Sequence, residues 1–240
     1  MDETTAEGPR EPARLFADLY ELTMLGAYGA RGMDAIATFS LFVRALPTSR
    51  NFLLAWGLDD LLSELESFRF GAEDIAYLRS LNMFPESLFG ALSDFRFDGD
   101  VFAAPEGTPI FPGEPILEIT APIGQAQVVE TLVVNQISLQ TVLASKAVRV
   151  VEAAAGRPVV DFGARRAQGL DAALKGARAF AIAGVSATSL LAAGARYRIP
   201  VTGTMAHSFG QAFDDELEAF CGLRPDLPEH GPSGGHLRHA

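Results

Sequence analysis

The stretch Val159-Val160-Asp161-Phe162-Gly163-Ala164-Arg165-Arg166 decides how this chain is read: a short, largely apolar run closes on a glycine and opens into two adjacent guanidinium groups. Residues 159–162 have the length and composition of a buried strand. Helical periods follow over 169–183 and 188–198, and a second β-prone run, Val201-Thr202-Gly203-Thr204, comes after them. Strands alternating with helices predict parallel strands joined by helical crossovers, so the chain from about residue 156 reads as part of an α/β barrel or an open α/β sheet. In both architectures ligand chemistry collects at the carboxyl ends of the strands. Two stretches fall there, Gly163-Ala164-Arg165-Arg166 and Gly203-Thr204-Met205-Ala206-His207-Ser208.

Upstream the pattern differs. Apolar residues at Leu15, Phe16, Leu19, Leu22 and Leu25 predict a helix over 15–30 that leaves Asp18 and Tyr20 off its apolar stripe. Alternation predicts a strand over 37–44, and helical periods return over 52–68, 72–81 and 85–95. Glycines and prolines then punctuate residues 97–121 as in a small antiparallel sheet with tight turns. A long Val-, Leu- and Ala-rich helix is expected over 124–155, stopped by Gly156. The expected organisation is a disordered lead-in (1–12), an N-terminal α+β domain (13–123), the start of an irregular α/β barrel (124–220), and an atypical, disordered tail (221–240). The fold class is α/β overall.

Composition narrows the function. With 48% hydrophobic residues the 240-residue chain can bury a real core. A net charge of −11 argues against a nucleic-acid or anionic-membrane partner, because no basic stripe is available to displace counterions. The single cysteine, Cys221, excludes an internal disulfide framework and fits a reducing compartment. The start of the chain lacks an apolar signal segment, and no run approaches the length of a membrane span. A cytoplasmic protein is expected.

Arg165 and Arg166 suit bidentate capture of a carboxylate or phosphate, although a solvated pair at a helix start would look the same. Ser186, Thr188 and Ser189 form a hydroxyl cluster that could cap a helix or leave N–H groups for an anion. Asp161-Phe162-Gly163 matches the metal-binding tripeptide of protein kinases, but no glycine-rich loop or catalytic His-Arg-Asp accompanies it, and that reading is rejected. His207 is the one imidazole before the atypical tail; on its own it reads as structural.

Six ordered segments resemble the nicotinate phosphoribosyltransferases: Asp18-Leu19-Tyr20-Glu21-Leu22-Thr23-Met24; Glu106-Gly107-Thr108 with Phe111-Pro112; Glu130-Thr131-Leu132 with Ser145-Lys146-Ala147; Phe162-Gly163-Ala164-Arg165-Arg166-Ala167-Gln168-Gly169; Ala187-Thr188-Ser189; and Gly203-Thr204-Met205-Ala206-His207-Ser208. The resemblance implies joining of nicotinate to 5-phosphoribosyl 1-pyrophosphate, with ATP hydrolysis and Mg²⁺, to give nicotinate mononucleotide and pyrophosphate. It implies that His207 is transiently phosphorylated and that Arg165, Arg166, Ser189, Gly203, Thr204 and Ser208 belong to the substrate site. It further implies that Tyr20 and Asp18 reach that site from the neighbouring subunit of a homodimer. A related nicotinamide-using family is expected to carry an aspartate near the position of Ser189; an uncharged serine there, opposite Arg165, suits a carboxylate. The resemblance fades after 209–220, where the family's further α/β units and aspartate-rich strand end would follow, so no metal ligand is expected in this chain. The alternative expectation is an inactive fragment that keeps the N-terminal domain and the dimer contact.

Overall fold

The computed structural model describes residues 14–223. Two compact units divide the chain, the first running to Ser145 and the second from Lys146 onward.

In the first unit, α1 (Leu19–Ala30) starts four residues later than the apolar period suggests, because Asp18 is extended and serves as the N-cap. β1 (Ile36–Phe42), β2 (Leu53–Leu54), α2 (Leu58–Ser67), α3 (Ala72–Ser80) and α4 (Glu86–Ser93) follow, then β3 (Asp100–Ala103), β4 (Pro109–Ile110) and β5 (Pro115–Pro122). The antiparallel sheet has the order β1-β5-β3, with Phe39 opposite Ile119 and Thr38 opposite Thr120. Alternation sends Leu117, Ile119 and Ala121 into the core. Polar partners pair across the other positions: the Thr38 and Thr120 hydroxyls lie 2.8 Å apart, and Ser40 Oγ donates to Glu118 Oε1 at 2.6 Å. Below the sheet the core is sealed by Leu61, Leu92 and an edge-on cluster of Phe68, Phe70 and Phe95, whose ring centroids are 5.5 to 5.7 Å apart.

The helix expected over 52–68 begins as a strand instead. Leu53 and Leu54 pair with Ile110 and Pro109, and helix α2 starts only after Gly57. Among the described residues no strand pairs with the outer edge of this short strand, and α6 (Glu130–Ala153) satisfies it with hydroxyls. Thr141 Oγ accepts from Trp56 N–H at 3.1 Å, and Ser145 Oγ accepts from Leu54 N–H at 2.8 Å. Hydroxyls four residues apart on one helix face thus stand in for a strand. Gly57 permits this approach: its φ is +100°, and a Cβ would lie 2.8 Å from the Gln136 carbonyl oxygen.

The long helix expected over 124–155 is broken at Val129 into α5 (Ile123–Val128) and α6. Val128, Val129, Leu132, Val133 and Ile137 are buried in the core of the first unit. The division therefore falls within α6, at Ser145, and not ahead of α5 as the expected boundary at 123 has it.

In the second unit β6 (Val160–Asp161), α7 (Leu170–Ile182), β7 (Ala187–Thr188) and α8 (Leu191–Tyr197) lead to α9 (His207–Gln211) and α10 (Glu216–Leu223). The helix expected from 188 starts at Leu191, since Ala187 and Thr188 pair in parallel with Val160 and Asp161. The strand expected over 201–204 contracts to one parallel bridge, Val201 with Thr188. α8 packs close to this bridge because Gly194 lacks a side chain; a Cβ there would lie 2.3 Å from Val201 Cγ2. Cys221, Gly222 and Leu223, expected to open the tail, instead complete α10; the remainder of that expectation, and the lead-in over 1–12, lie outside the described residues. Among the described residues no helix is long and apolar enough to cross a membrane.

Candidate functional site

The second unit carries three consecutive parallel strand segments in chain order, β6, β7 and Val201. Their register is held by Ser186 N–H to the Val159 carbonyl (2.8 Å), Ser189 N–H to the Asp161 carbonyl (2.9 Å), Thr188 N–H to the Pro200 carbonyl (3.0 Å) and Thr202 N–H to the Thr188 carbonyl (3.1 Å). Successive carboxyl ends therefore lie along one edge. Arg165 and Arg166 follow the first, Ser189 the second, and Gly203 and Thr204 the third. The sequence-derived candidates are collected there by strand pairing and not by nearness in the chain.

Arg165 and Arg166 occupy a single 3-10 turn, Ala164–Arg166, entered from Gly163. Both are exposed, and among the described residues neither guanidinium holds a carboxylate, so five donors on each remain for an anion. Ser189 and Gly203 are half-buried, and Thr204 is exposed. His207 and Ser208 open α9 behind the cap residue Ala206; both are exposed, and among the described residues the imidazole makes no hydrogen bond.

Beneath these groups sits a brace that sequence reading missed. Asp161 Oδ1 accepts from Gly163 N–H at 2.8 Å, while Oδ2 accepts from the Thr188 hydroxyl at 3.0 Å. The same Thr188 Oγ accepts from Leu190 N–H at 3.1 Å. Thr188 is buried at 1% exposure, so its hydroxyl is committed to the scaffold and is not held out for an anion, as the hydroxyl-cluster reading allowed. No local signal marks it, because in the sequence Thr188 reads as the start of a helix and only the fold sets it beside Asp161.

Tyr20 and Asp18 lie in the first unit. Tyr20 is 47% exposed on the first turn of α1. Partial burial and the facing Glu130 carboxylate, with Glu21 and Asp18 adding, push its phenol up to about 12. Next to it Glu21 is fully buried. Its Oε2 accepts from Asp18 N–H at 3.2 Å, and its Oε1 accepts from Thr131 N–H at 2.9 Å and from the Thr131 hydroxyl at 2.6 Å. One carboxylate thus caps the N-termini of α1 and α6 together. Burial raises the pKa of Glu21 against the lowering effect of these donors. Glu130 in turn accepts from Gln127 Nε2 at 2.6 Å.

Other motif residues are structural. Glu106 Oε1 accepts from Gly57 N–H at 2.9 Å and caps the start of α2, while the Thr108 carbonyl accepts from Ala55 N–H at 2.9 Å. Ser145 closes the edge of β2.

The family model for the nicotinate phosphoribosyltransferase (NAPRTase) N-terminal domain matches residues 15–138. The chain is 57% identical over 206 residues to the nicotinate phosphoribosyltransferase pncB2 of Mycobacterium tuberculosis, covering 86% of this chain and 44% of that protein. It is 39% identical over 207 residues to the nicotinate phosphoribosyltransferase of Bacillus subtilis, covering 86% and 42%. The crystal structure of human nicotinic acid phosphoribosyltransferase superposes with a TM-score of 0.76 at 34% identity, over 83% of this chain and 41% of that one. The chain thus spans less than half the length of the relatives it matches. With the motif residues of α1, α6 and the strand ends accounted for in three dimensions, the chain belongs to the nicotinate phosphoribosyltransferase family.

Proposed function

We propose that the chain carries part of the substrate site of a nicotinate phosphoribosyltransferase, which joins nicotinate to 5-phosphoribosyl 1-pyrophosphate with ATP hydrolysis in NAD biosynthesis. The observation that carries this reading is the alignment of Arg165, Ser189 and Gly203 at the carboxyl ends of three consecutive parallel strands, with His207 at the start of the next helix. We take this unit to be the beginning of an irregular α/β barrel.

In this reading the Arg165 guanidinium grips the nicotinate carboxylate through paired N–H donors, supported by Arg166 and the uncharged Ser189. The gripped ring presents its nitrogen in line with the anomeric carbon; that nitrogen forms the new C–N bond as the C–O bond to pyrophosphate breaks. The His207 imidazole accepts the γ-phosphoryl group of ATP, releasing ADP, and phosphohistidine hydrolysis returns the free side chain. Gly203, Thr204 and Ser208 line the approach, and Tyr20 and Asp18 contribute from the second subunit of a homodimer. Mg²⁺ would neutralise the departing pyrophosphate. Among the described residues no three His, Cys, Asp or Glu side chains are grouped to hold an ion.

The test is formation of nicotinate mononucleotide by the purified chain from nicotinate, 5-phosphoribosyl 1-pyrophosphate, ATP and Mg²⁺, alongside saturable nicotinate binding. Binding that disappears in Arg165→Ala supports the reading. Absence of nicotinate binding by a folded chain overturns it, and binding without turnover identifies a non-catalytic fragment.

A further inference from the structure

Strand β1 ends the sheet order β1-β5-β3 and leaves one long side open. Its hydrogen-bonding direction is fixed at both ends. The Ala35 carbonyl accepts from Ile123 N–H and the Val43 carbonyl from Gly113 N–H, each at 2.9 Å, so the odd-numbered residues turn their backbone groups toward β5. Ile36 and Phe42 stand opposite Pro122 and Pro115, which have no N–H to give. The N–H and C=O groups of Ile36, Thr38, Ser40 and Phe42 therefore point away from the sheet, and among the described residues no backbone partner meets them. We propose that this edge pairs with the same edge of a second copy of the chain, antiparallel about a two-fold axis at Phe39.

Sheet edges are ordinarily blunted by short strands, prolines or charges, because open backbone groups recruit other strands. β3, the opposite edge, is four residues long and opens on Asp100. β1 is seven residues long and carries neither charge nor proline. What selects a second copy as the occupant is the sequence of the edge itself, which is self-complementary about Phe39. Reversal about that residue sets Thr38 opposite the partner's Ser40 and Ile36 opposite the partner's Phe42. These are hydrogen-bonded pairs, as the outward direction of all four backbones requires. Ile36 and Phe42 are 67% and 45% exposed in the single chain, and the pairing lays them side by side on one face. One step further out, Asp34 falls opposite the partner's Arg44. Both are exposed, and among the described residues neither holds an opposite charge. A slip of two residues would keep the backbone bonds but separate the apolar and the ionic pairs, so the side chains single out this register. On the core-facing side a cleft of about 270 Å³, bordered by Phe39, Leu41, Val133 and Val134, lies open beside the strand and gives room to the partner's Phe39.

The experiment uses the full chain in sedimentation equilibrium and in amide hydrogen exchange read residue by residue. Wild type should be a dimer in which the amides of Thr38, Ser40 and Phe42 exchange more slowly as protein concentration rises. Asp34→Arg or Arg44→Asp alone sets like charges opposite one another at both ends of the pairing, and should weaken the dimer about 10-fold or more. The double variant Asp34→Arg/Arg44→Asp restores opposite charges and should recover it. Both positions are exposed, so Tm should stay near wild type in all three. A monomer at every concentration would overturn the proposal. So would a dimer whose edge amides stay unprotected, which puts the contact on another surface, or protection that ignores concentration, which means the chain covers its own edge. A double variant as weak as the single ones would also count against it, since the Asp34–Arg44 register would then be wrong. No substrate enters the measurement, so this inference and the substrate-site reading stand or fall separately.

Discussion

The hydroxyl of Thr188 donates to Asp161 Oδ2 at 3.0 Å across two parallel strands, and in the same position accepts the N–H of Leu190. This contact joins the ends from which Arg165 and Ser189 emerge. Thr188→Val keeps the shape and removes both bonds, leaving a carboxylate oxygen and a backbone N–H short of partners. Urea unfolding should register a loss of about 1–3 kcal/mol, with Thr188→Ser close to wild type.

Glu21 makes stability depend on pH in an unusual sense for a carboxylate. Burial raises its folded pKa above the ordinary 4.5. The folded state then holds the proton more tightly than the unfolded chain, so this group's contribution is fully present below the ordinary value and is lost as pH rises through the raised one. Wild type measured against Glu21→Gln, which does not titrate, should lose relative stability as pH climbs from about 4 upward. A pH-independent difference between the two proteins would contradict it.

Gly57 holds φ at +100° with the Gln136 carbonyl oxygen 2.8 Å from where a Cβ would sit. Gly57→Ala combines backbone strain with a steric clash against α6. The expected cost is at least about 1–3 kcal/mol, measured by thermal or urea unfolding, and the surrounding bonds of Trp56 to Thr141 should lose hydrogen-exchange protection.

Arg165→Ala should raise the nicotinate KM by about 10- to 100-fold, the scale of losing charge-assisted hydrogen bonds. Arg165→Lys should recover only part of it, because an ammonium lacks the planar fork. Steady-state kinetics, or nicotinate titration where turnover is absent, checks both.

Much of this was legible in the chain. The parallel, helix-linked character of the second unit follows from β6, α7, β7 and α8, and the antiparallel sheet from the spacing of glycine and proline in 97–121. Two of the departures share one cause. Leu53–Leu54 and Thr188 fall into neighbouring helical periods, because two-residue strands are too short to show a period of two. Their pairing partners lie dozens of residues away, at Pro109–Ile110 and Val160–Asp161. The interruption at Val129 was hidden because the apolar run continues through it without a glycine or proline.

The candidate site divides in the same way. Arg165, Gly203 and His207 could be named from residue type and position after strands, Ser189 from a hydroxyl cluster at a helix start, and family membership from six ordered motifs. That Glu106 caps α2, that Ser145 and Thr141 stand in for a strand beside β2, and that Glu21 joins two helix ends had no local signal. Each is one polar group meeting a distant backbone, and such pairings exist only once the chain is folded. The sequence by itself determined the periodicities, the charge and the identities of the reactive side chains, because these are local properties of the polymer. Only the tertiary structure decided which of those side chains are buried as braces and which stand exposed at the strand ends, because burial and hydrogen bonding depend on neighbours that the order of residues does not name.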